Sequence, residues 1–389
     1  DLSLKNKMAE SSEQVFKLLK NIASKAKSKA QEDVAILQSY FDLNEIHSYD
    51  VAYYSSKYKK EKYALDDKEI KKYFPYEHCL TYLHNFVERF YDLELREISA
   101  CVYDENVKIY EVYQQGQLIS YYLLDAFYRK EKRGGAWAGC LRSREYMSSY
   151  KKVPIIVNVC NFQKSEHTTL LTLGDVETLF HEFGHALHEI LSESLYSELS
   201  GFGVEWDFVE LPSQLLENWV YERESIEKLG KHYETGESLP VSILDTLDSL
   251  RTYMSGYSTL RQCEFALLDM HLYSSDVPKS IADLDTYILD QVNAISLFPR
   301  GDQYKMYTSF GHIFGGGYAA GYYSYMWAEI LEADVFAEIK KRGMFDPEVG
   351  QHFVKTILGQ GTRKPATELF YDFMGREVSD EAFMERKGF

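Results

Sequence analysis

The sequence contains, from Leu179 to His188, the stretch LFHEFGHALH, which includes the pattern H-E-x-x-H. In an α-helix, His181 and His185 are about 400° of rotation apart, so they lie one turn apart on the same face. Both imidazoles then reach one metal ion, and zinc is the natural candidate because neutral imidazole is a preferred ligand for it. Glu182 lies roughly 100° around the helix, from where its carboxylate reaches a water beside the ion. The stretch therefore predicts a metal-binding helix that carries a general base.

The residues around this pattern predict that the helix is buried. Its apolar positions form one broad surface, made of Val176, Leu179, Phe180, Phe183, Leu187, Ile190 and Leu191. The alternative interpretation is an exposed amphipathic helix with two ordinary histidines, which does not explain an apolar surface this wide. Buried imidazoles and a buried carboxylate need partners, and a metal ion supplies one. Asp175 is the expected N-cap of this helix.

A catalytic zinc ion needs a third protein ligand and an open position. The longer pattern H-E-x-x-H-x-x-G-x-x-H would provide a third histidine, but His188 holds its glycine position and Leu191 its last position. His188 shares a face with His181, one turn beyond His185, and a helix rarely curves enough to bring three ligands to one ion. His188 therefore stays an alternative ligand, with packing or contact to a ligand as its other interpretation.

An acidic residue of the next helix is the other source of a third ligand. Residues 205–219 read as this helix, kinked or started by Pro212, and they offer Glu205, Glu210 and Glu217. Glu210 and Glu217 are seven residues apart and share a face of an unbroken helix. The segment is too apolar for exposed surface charge, and a buried carboxylate needs a cation. Glu210 is the predicted ligand, and Glu217 is predicted to contact a ligand or to be structural.

The composition disfavours several classes of partner. The chain has 389 residues, of which 45% are hydrophobic, and a formal net charge of -17. This charge disfavours nucleic acids and anionic membrane surfaces, and the basic runs at 57–62 and 68–72 are interpreted as solvated faces. Five cysteines without a C-x-x-C pair favour a reducing compartment. Because the sequence shows no signal peptide and no transmembrane run, we expect a cytoplasmic protein.

The periodicity of the chain predicts mainly α-helical structure with a small antiparallel or mixed β-sheet, and length alone would suggest two or three domains. The predicted domain, 1–389, has a helical part at 1–97, a small sheet at 98–167 and a helical part with the metal site at 168–389. A first helix is expected from Ser11 or Ser12 to about Phe41, and one long Leu-rich helix from Val241 to about Leu272.

The sheet is predicted to have three or four mostly antiparallel strands, at 108–113, 118–128 and 153–162. Pro154, near the start of the last run, favours an edge strand there, and residues 134–137 read as a flexible loop of small residues. An extended peptide can add to a sheet edge by main-chain hydrogen bonds. Residues 153–161 and 134–137 are therefore candidates for binding a peptide, and an ordinary sheet that packs into the core is the alternative.

Five motifs give the sequence its resemblance to a known family. They are residues 132–137 (KRGGAW), 181–188 (HEFGHALH), 207–214 (DFVELPSQ), 217–219 (ENW) and 310–325 (FGHIFGGGYAAGYYSY). The sequence resembles the thimet oligopeptidase and oligopeptidase A family of zinc metallopeptidases, from about Lys7 to the C-terminus. The resemblance implies a zincin-like catalytic domain, one Zn²⁺ ion and Glu210 as the carboxylate ligand.

The glycine-rich stretch at 310–325 has a chemical interpretation of its own. Attack on a peptide carbonyl builds negative charge on oxygen, and O–H or N–H donors aimed at this oxygen lower the barrier. His312, Tyr318 and Tyr325 can supply such donors, and the glycines let the segment close over a substrate. The alternative is that the tyrosines pack a helix and the glycines form a tight turn. The family resemblance implies that Tyr318 and Tyr325 stabilise the oxyanion with help from His312, and it implies less for Tyr322.

The predicted function is zinc-dependent hydrolysis of peptide bonds in short oligopeptides by a metal-activated water. Release of C-terminal dipeptides is one alternative, and it needs a cation that holds a free carboxylate. A non-catalytic peptide-binding fragment is another, because members of the family carry an upstream helical region that encloses a deep channel. Since the sequence begins with Asp near the catalytic half, we expect a fragment or a short form. It is expected to be a monomer, or to associate with the missing N-terminal region.

Overall fold

The computed structural model describes residues 2–63, 66–147, 150–274, 276 and 278–389. Over these residues the chain is mainly α-helical with a small sheet, as predicted. The helices are α1 Ser12–Tyr40, α2 Val51–Tyr63, α3 Asp67–Ile70, α4 Tyr76–Tyr91, α5 Leu173–Leu191, α6 Leu211–Tyr221, α7 Arg223–Leu229, α8 Val241–Ser249, α9 Ser255–Ser274, α10 Ile281–Ile295, α11 Gly311–Gly315, α12 Ser324–Arg342, α13 Pro347–Phe353, α14 Ala366–Met374 and α15 Glu381–Lys387. The strands are β1 Glu94–Ile98, β2 Lys108–Gln114, β3 Gln117–Phe127, β4 Trp137–Arg142, β5 Glu145–Met147, β6 Tyr150–Lys152 and β7 Ile155–Phe162. None of the helices in the described ranges is long and apolar enough to cross a membrane.

The main sheet is mixed and has the strand order β1-β2-β3-β7-β4. Strands β3 and β7 run parallel, and the other neighbours run antiparallel. The prediction that residues 153–162 form an edge strand is wrong, because β7 lies between β3 and β4. Pro154 stands just before β7 and its carbonyl accepts the Tyr121 N–H at 2.9 Å, so the residue joins the sheet through its carbonyl group. The edge on that side is β4, which begins at Trp137, within the stretch predicted to be a loop.

A capping box fixes the start of α5. The side chain of Thr172 accepts the N–H of Asp175 at 3.1 Å, and the Asp175 carboxylate accepts the N–H of Thr172 at 2.8 Å. Thr172 is therefore the N-cap, and the prediction that Asp175 holds this position is wrong because Asp175 is the third residue of the helix. The predicted apolar surface of α5 is buried, with Phe180 and Phe183 completely enclosed.

A glycine inside the H-E-x-x-H pattern allows α6 to lie against α5. A Cβ at Gly184 would lie 2.6 Å from the carbonyl oxygen of Pro212 and 2.6 Å from Cα of Ser213. Only a residue without a side chain permits this approach. Helix α6 begins at Leu211 with Pro212 in its first turn, so the predicted helix over 205–219 starts later than expected. Glu210, the residue in front of α6, is thereby placed over α5.

Two hydrophobic cores support these elements. The first joins α4, the main sheet, α5 and α6, and the second joins α1, α9, α15 and the start of α12. The predicted first helix is confirmed, with Ser11 as its N-cap. The predicted single helix from Val241 to Leu272 is wrong, because the chain forms α8 and α9 with a turn between them. In this turn Met254 has a φ of +56°, which an α-helix does not accommodate.

Candidate metal centre

The structure brings His181, His185 and Glu210 together. Their ligand atoms lie within 4.8 Å of one another. Glu210 Oε2 is 3.1 Å from His185 Nε2 and 3.4 Å from His181 Nε2. Both rings come from α5, with 4.9 Å between their centroids and 85° between their planes. Two imidazole nitrogens and one carboxylate oxygen are a donor set that fits a catalytic zinc ion.

The electrostatics of this group attract positive charge. Burial would raise the pKa of the Glu210 carboxyl, but His185 and His181 outweigh burial and hold this pKa well below its usual range. Burial would likewise lower the pKa of His181, but hydrogen bonds with Glu210 and Glu217 instead raise it well above its usual value. His181 and Glu210 thus hold a proton firmly between them. A divalent cation can take the place of this proton.

Glu217 contacts the other ring nitrogen of His181. The Glu217 Oε1 atom lies 2.6 Å from His181 Nδ1. With Glu217 ionised, Nδ1–H donates to the carboxylate and Nε2 stays directed at Glu210, which is how metal-binding histidines are commonly oriented. Burial raises the pKa of Glu217 to about 7. The geometry agrees with the prediction that Glu217 contacts a metal-ligand residue, which is His181.

Glu182 lies beside the ligands without being one of them. The residue is 5% exposed, and its Oε2 atom has no hydrogen-bond partner among the described residues. Burial raises the pKa of Glu182, although His181 and His185 oppose this shift. A buried carboxylate with a raised pKa and a free oxygen has the properties of a general base.

Two other candidate ligands are not part of the three-ligand group. His188 is completely buried, burial lowers its pKa to about 3, and neither ring nitrogen has a partner among the described residues. It does not join the ligand atoms of His181, His185 and Glu210. Glu205 accepts the N–H of Ala366 at 2.9 Å and so holds the start of α14. Packing, the second interpretation of His188, is the one that the structure favours.

The predicted oxyanion donors lie beside the third ligand, Glu210. The Tyr318 hydroxyl donates to Glu210 Oε1 at 2.5 Å. The rings of Tyr318 and Tyr325 stack, with centroids 4.9 Å apart, and the His312 ring lies 6.0 and 6.2 Å from them. Burial raises the pKa of both tyrosines, so both hydroxyls stay protonated and able to donate. The Tyr322 hydroxyl instead donates to Gln262 at 3.0 Å.

The loop before edge strand β4 is anchored to the sheet. Asn161 donates to the carbonyls of Arg133 and Gly135 at 2.8 and 2.7 Å. Lys132 donates to the carboxylate of Asp125 at 2.8 Å and is almost completely buried. The chain therefore enters β4 in a defined position. This edge runs beside α5, since Cys140 of β4 contacts Glu189 of α5.

A cavity of about 1120 Å³ adjoins the site and shares Glu217, His312 and Tyr325 with it. Four cations line the cavity. Three of them are paired with a carboxylate, Arg251 with Glu222, Arg386 with Glu332 and Lys387 with Glu329, and the fourth is Lys59. A free C-terminal carboxylate would have to compete with these acids, so the three cations do not favour dipeptide release.

Two buried carboxylates near the site, Asp207 and Asp269, were not among the predicted site residues. Asp207 opens the motif DFVELPSQ at 207–214, in which Glu210 is the predicted ligand. Asp269 lies in α9 without any local pattern that marks it, because its partners come about fifty residues later in the chain. Only the contact between these two segments identifies Asp269, and no local sequence pattern reveals that contact.

A mixed sheet beside a buried H-E-x-x-H helix, in a mainly helical chain, is the fold of a zincin-like metallopeptidase catalytic domain. A solved carboxypeptidase of family M32 from Deinococcus radiodurans has the same fold. It superposes on 99% of this chain and 69% of its own with a TM-score of 0.55, at 13% identity.

The chain belongs to peptidase family M3, because the profile of this family matches residues 1–389. The chain is 36% identical over 396 residues to oligopeptidase A of Salmonella typhimurium. This alignment covers 99% of the chain and 58% of the relative. It is 30% identical over 401 residues to dipeptidyl carboxypeptidase of Escherichia coli, with 98% and 58% covered. The predicted family is thus confirmed, and the chain spans somewhat more than half the length of these relatives.

Proposed function

We propose that this chain is a zinc-dependent peptidase domain that hydrolyses peptide bonds in short oligopeptides. The observation that carries the proposal is the convergence of His181, His185 and Glu210 beside Glu182, whose Oε2 has no hydrogen-bond partner in the described part of the chain. The names of relatives at 36% and 30% identity, oligopeptidase A and dipeptidyl carboxypeptidase, support the same chemistry. Zinc, when bound, supplies a Lewis acid that polarises the substrate carbonyl and makes a water acidic.

In this proposal the protein side chains move the protons and orient the reacting groups. Glu182 takes a proton from the attacking water and later delivers it to the leaving amine, for which its raised pKa is suited. The hydroxyls of Tyr318 and Tyr325, assisted by His312, donate to the oxygen on which negative charge develops. Tyr318 can leave Glu210 for this oxygen, since a hydroxyl rotates without moving its ring.

The substrate backbone is proposed to lie along β4. Of the two predicted peptide-binding segments, 134–137 and 153–161, only the first adjoins a sheet edge in the fold. Main-chain hydrogen bonds to β4 would bind many sequences with little selectivity among side chains. This arrangement suits an enzyme that degrades mixed short peptides.

The decisive experiment compares the wild-type chain with Glu182→Gln. Both are expected to bind one zinc ion, measured by elemental analysis, because Glu182 is not a ligand. Cleavage of an internally quenched fluorescent peptide is expected to fall by roughly 10²–10⁴-fold in the variant, as is usual when a general base is removed. A variant that cleaves as fast as the wild type would exclude Glu182 as the base.

The control is Glu193→Gln, an exposed carboxylate just beyond the end of α5, and it is expected to cleave at the wild-type rate. Two alternatives are tested in the same assay. Wild-type chain that binds zinc but cleaves nothing would favour the non-catalytic fragment. Stepwise loss of C-terminal dipeptides from a decapeptide, followed by mass spectrometry, would favour dipeptidyl carboxypeptidase action.

A further inference from the structure

A buried carboxylate holds the turn that follows Tyr318. Asp269 of α9 is completely buried, and it accepts the backbone N–H groups of Ala320, Gly321 and Tyr322 at 2.9, 2.8 and 2.9 Å. Ala320 has a φ of +48°, in the left-handed region that residues other than glycine seldom adopt. Successive amides form a concave anion site in such a turn. Asp269 occupies this anion site and so fixes the conformation of the backbone.

Lys7 holds the same turn from its carbonyl side. Its Nζ donates to the carbonyl oxygen of Ala320 at 2.8 Å, and a Cβ at Gly321 would lie 2.8 Å from this Nζ. The ammonium group of Lys7 also acts electrostatically on Asp269. The carboxylate of Asp269 therefore binds the N–H groups of the turn, and the ammonium group of Lys7 binds a carbonyl group of the same turn.

A second buried carboxylate ties this turn to the segment that carries the third ligand. Asp207 is completely buried and accepts the Tyr323 hydroxyl at 2.8 Å. It also accepts the N–H groups of Met8 and Ala9 at 2.8 and 3.0 Å. Asp207 precedes Glu210 by three residues, so the turn and the ligand segment are fixed to a common point.

The contacts of Asp269 imply a role beyond packing. Burial raises the pKa of Asp269 to about 6, although its hydrogen bonds and Lys7 oppose this shift, so the ionised carboxylate is costly to bury. The residue does not belong to the three-ligand group. Its influence reaches the site through the turn, which lies between Tyr318 and Tyr325. A change in this turn would move the two hydroxyls relative to Glu210.

We propose that Asp269 is a positioning residue for the oxyanion donors. By holding the amides of residues 320–322, it sets where the hydroxyls of Tyr318 and Tyr325 lie relative to the metal centre. The inference rests on the proposed function, since that function gives the position of these hydroxyls a catalytic consequence. A displacement of about 1 Å in such a group is sufficient to reduce turnover by roughly 10²-fold.

The test is Asp269→Asn in the zinc-loaded chain, with two independent readouts. The amide side chain keeps the size of the carboxylate but turns an N–H₂ group towards N–H donors, so hydrogen bonds to the turn are lost. Hydrogen exchange, followed by mass spectrometry, is expected to become at least about tenfold faster in residues 318–325. In peptide cleavage, kcat is expected to fall by about 10–100-fold while KM changes by less than about threefold.

A double-mutant cycle separates positioning from general loss of structure. If Asp269 acts through the two hydroxyls, Asp269→Asn costs at most about twofold further in kcat once Tyr318→Phe and Tyr325→Phe are present. The control is Asp33→Asn, another buried carboxylate, which accepts the N–H of Tyr257 on the same helix α9. It is expected to leave exchange in residues 318–325 and kcat unchanged.

The possible failures are distinguishable. Unchanged exchange in residues 318–325 of Asp269→Asn would overturn the inference whatever the activity. Faster exchange with an unchanged kcat would overturn it as well, and so would a full additional loss of kcat in the Tyr318→Phe, Tyr325→Phe background. If the two Tyr→Phe changes alone leave kcat intact, the oxyanion part of the proposed function fails, and the positioning role of Asp269 fails with it.

Discussion

At the scale of single residues, Glu217 gives a direct test of how the metal centre is oriented. Its carboxylate lies 2.6 Å from His181 Nδ1 and so directs the opposite nitrogen of the ring at Glu210. Glu217→Gln keeps one oxygen acceptor but removes the negative charge that makes the imidazole a stronger ligand. Zinc affinity, measured by competition with a chelator, is expected to fall by about 10–100-fold.

The matched control for this change is Glu227→Gln, because Glu227 is an exposed carboxylate whose partner is the exposed Arg223. It is expected to bind zinc as the wild type does. Equal zinc affinity in Glu217→Gln and the wild type would mean that Glu217 does not orient His181.

Asp269 makes a prediction about pH as well as about turnover. Burial raises its pKa from 3.8 to about 6 in the folded chain. Between about pH 4 and pH 6 the folded state therefore keeps a proton that the unfolded state has released. Because the folded state binds more protons in this range, the free energy of unfolding falls as the pH rises through it. The difference corresponds to about 3 kcal/mol.

Urea unfolding of zinc-free protein at several pH values from 4 to 7 measures this effect. The stability of the wild type relative to Asp269→Asn is expected to fall by up to about 3 kcal/mol across the range and to be constant above it. Subtraction removes the titrations that both proteins share. Parallel stability curves for the two proteins would show that Asp269 does not titrate in this way.

Which single residues could be predicted depended on whether their partners are close in sequence. His181, Glu182 and His185 lie within five consecutive residues of one helix, so their pattern is visible in the sequence. Asp269 receives its hydrogen bonds from residues about fifty positions away. The sequence does not distinguish Thr172 from Asp175 as the N-cap, because both members of a capping box are good cap residues and only coordinates assign the two positions.

At the scale of elements, the contact between α5 and α6 decides whether Glu210 reaches the two histidines. The contact passes through Gly184, where a Cβ would lie 2.6 Å from backbone atoms of Pro212 and Ser213. Gly184→Ala must push the helices apart, because neither contact atom belongs to a flexible side chain. We expect weaker zinc binding by chelator competition and a loss of about 1–3 kcal/mol in stability.

The same helix provides the control. A Cβ at Gly174, in the first turn of α5, would meet only Thr172 Oγ1 at 3.9 Å. Gly174→Ala is expected to keep zinc affinity unchanged and to leave stability equal or slightly higher, since alanine favours the helix. If Gly184→Ala bound zinc as tightly as Gly174→Ala, the close approach of α6 would not be needed for the site.

The elements that the sequence did not predict fail for identifiable reasons. The position of β7 inside the sheet depends on β4, which precedes it in the chain and returns to its outer side. A local pattern around Pro154 carries no information about that return. The break between α8 and α9 falls at 250–254, a stretch that contains neither glycine nor proline, so the usual signals of a helix end are missing there.

At the scale of the whole molecule, the candidate site lies where the two cores meet. The ligands His181 and His185 come from α5, which packs in the first core, while Tyr323, beside the oxyanion donors, is buried in the second. Asp207 spans the boundary by binding Tyr323 from the ligand segment. The relative position of the two cores therefore sets the distance between the ligands and the donors, which no single motif encodes.

This arrangement predicts how metal removal changes the stability of the molecule. All three ligands belong to α5 and the residue in front of α6, so zinc ties together two elements of the first core. A ligand that binds only the folded state, at roughly 1,000 times its dissociation constant, stabilises by about 4 kcal/mol. Calorimetry of chelator-stripped protein is expected to show a higher unfolding temperature after zinc is restored. Glu210→Gln should lose most of this increase, whereas Glu198→Gln, an exposed carboxylate between α5 and α6, should keep it. An equal increase in all three proteins would place the stabilising zinc elsewhere.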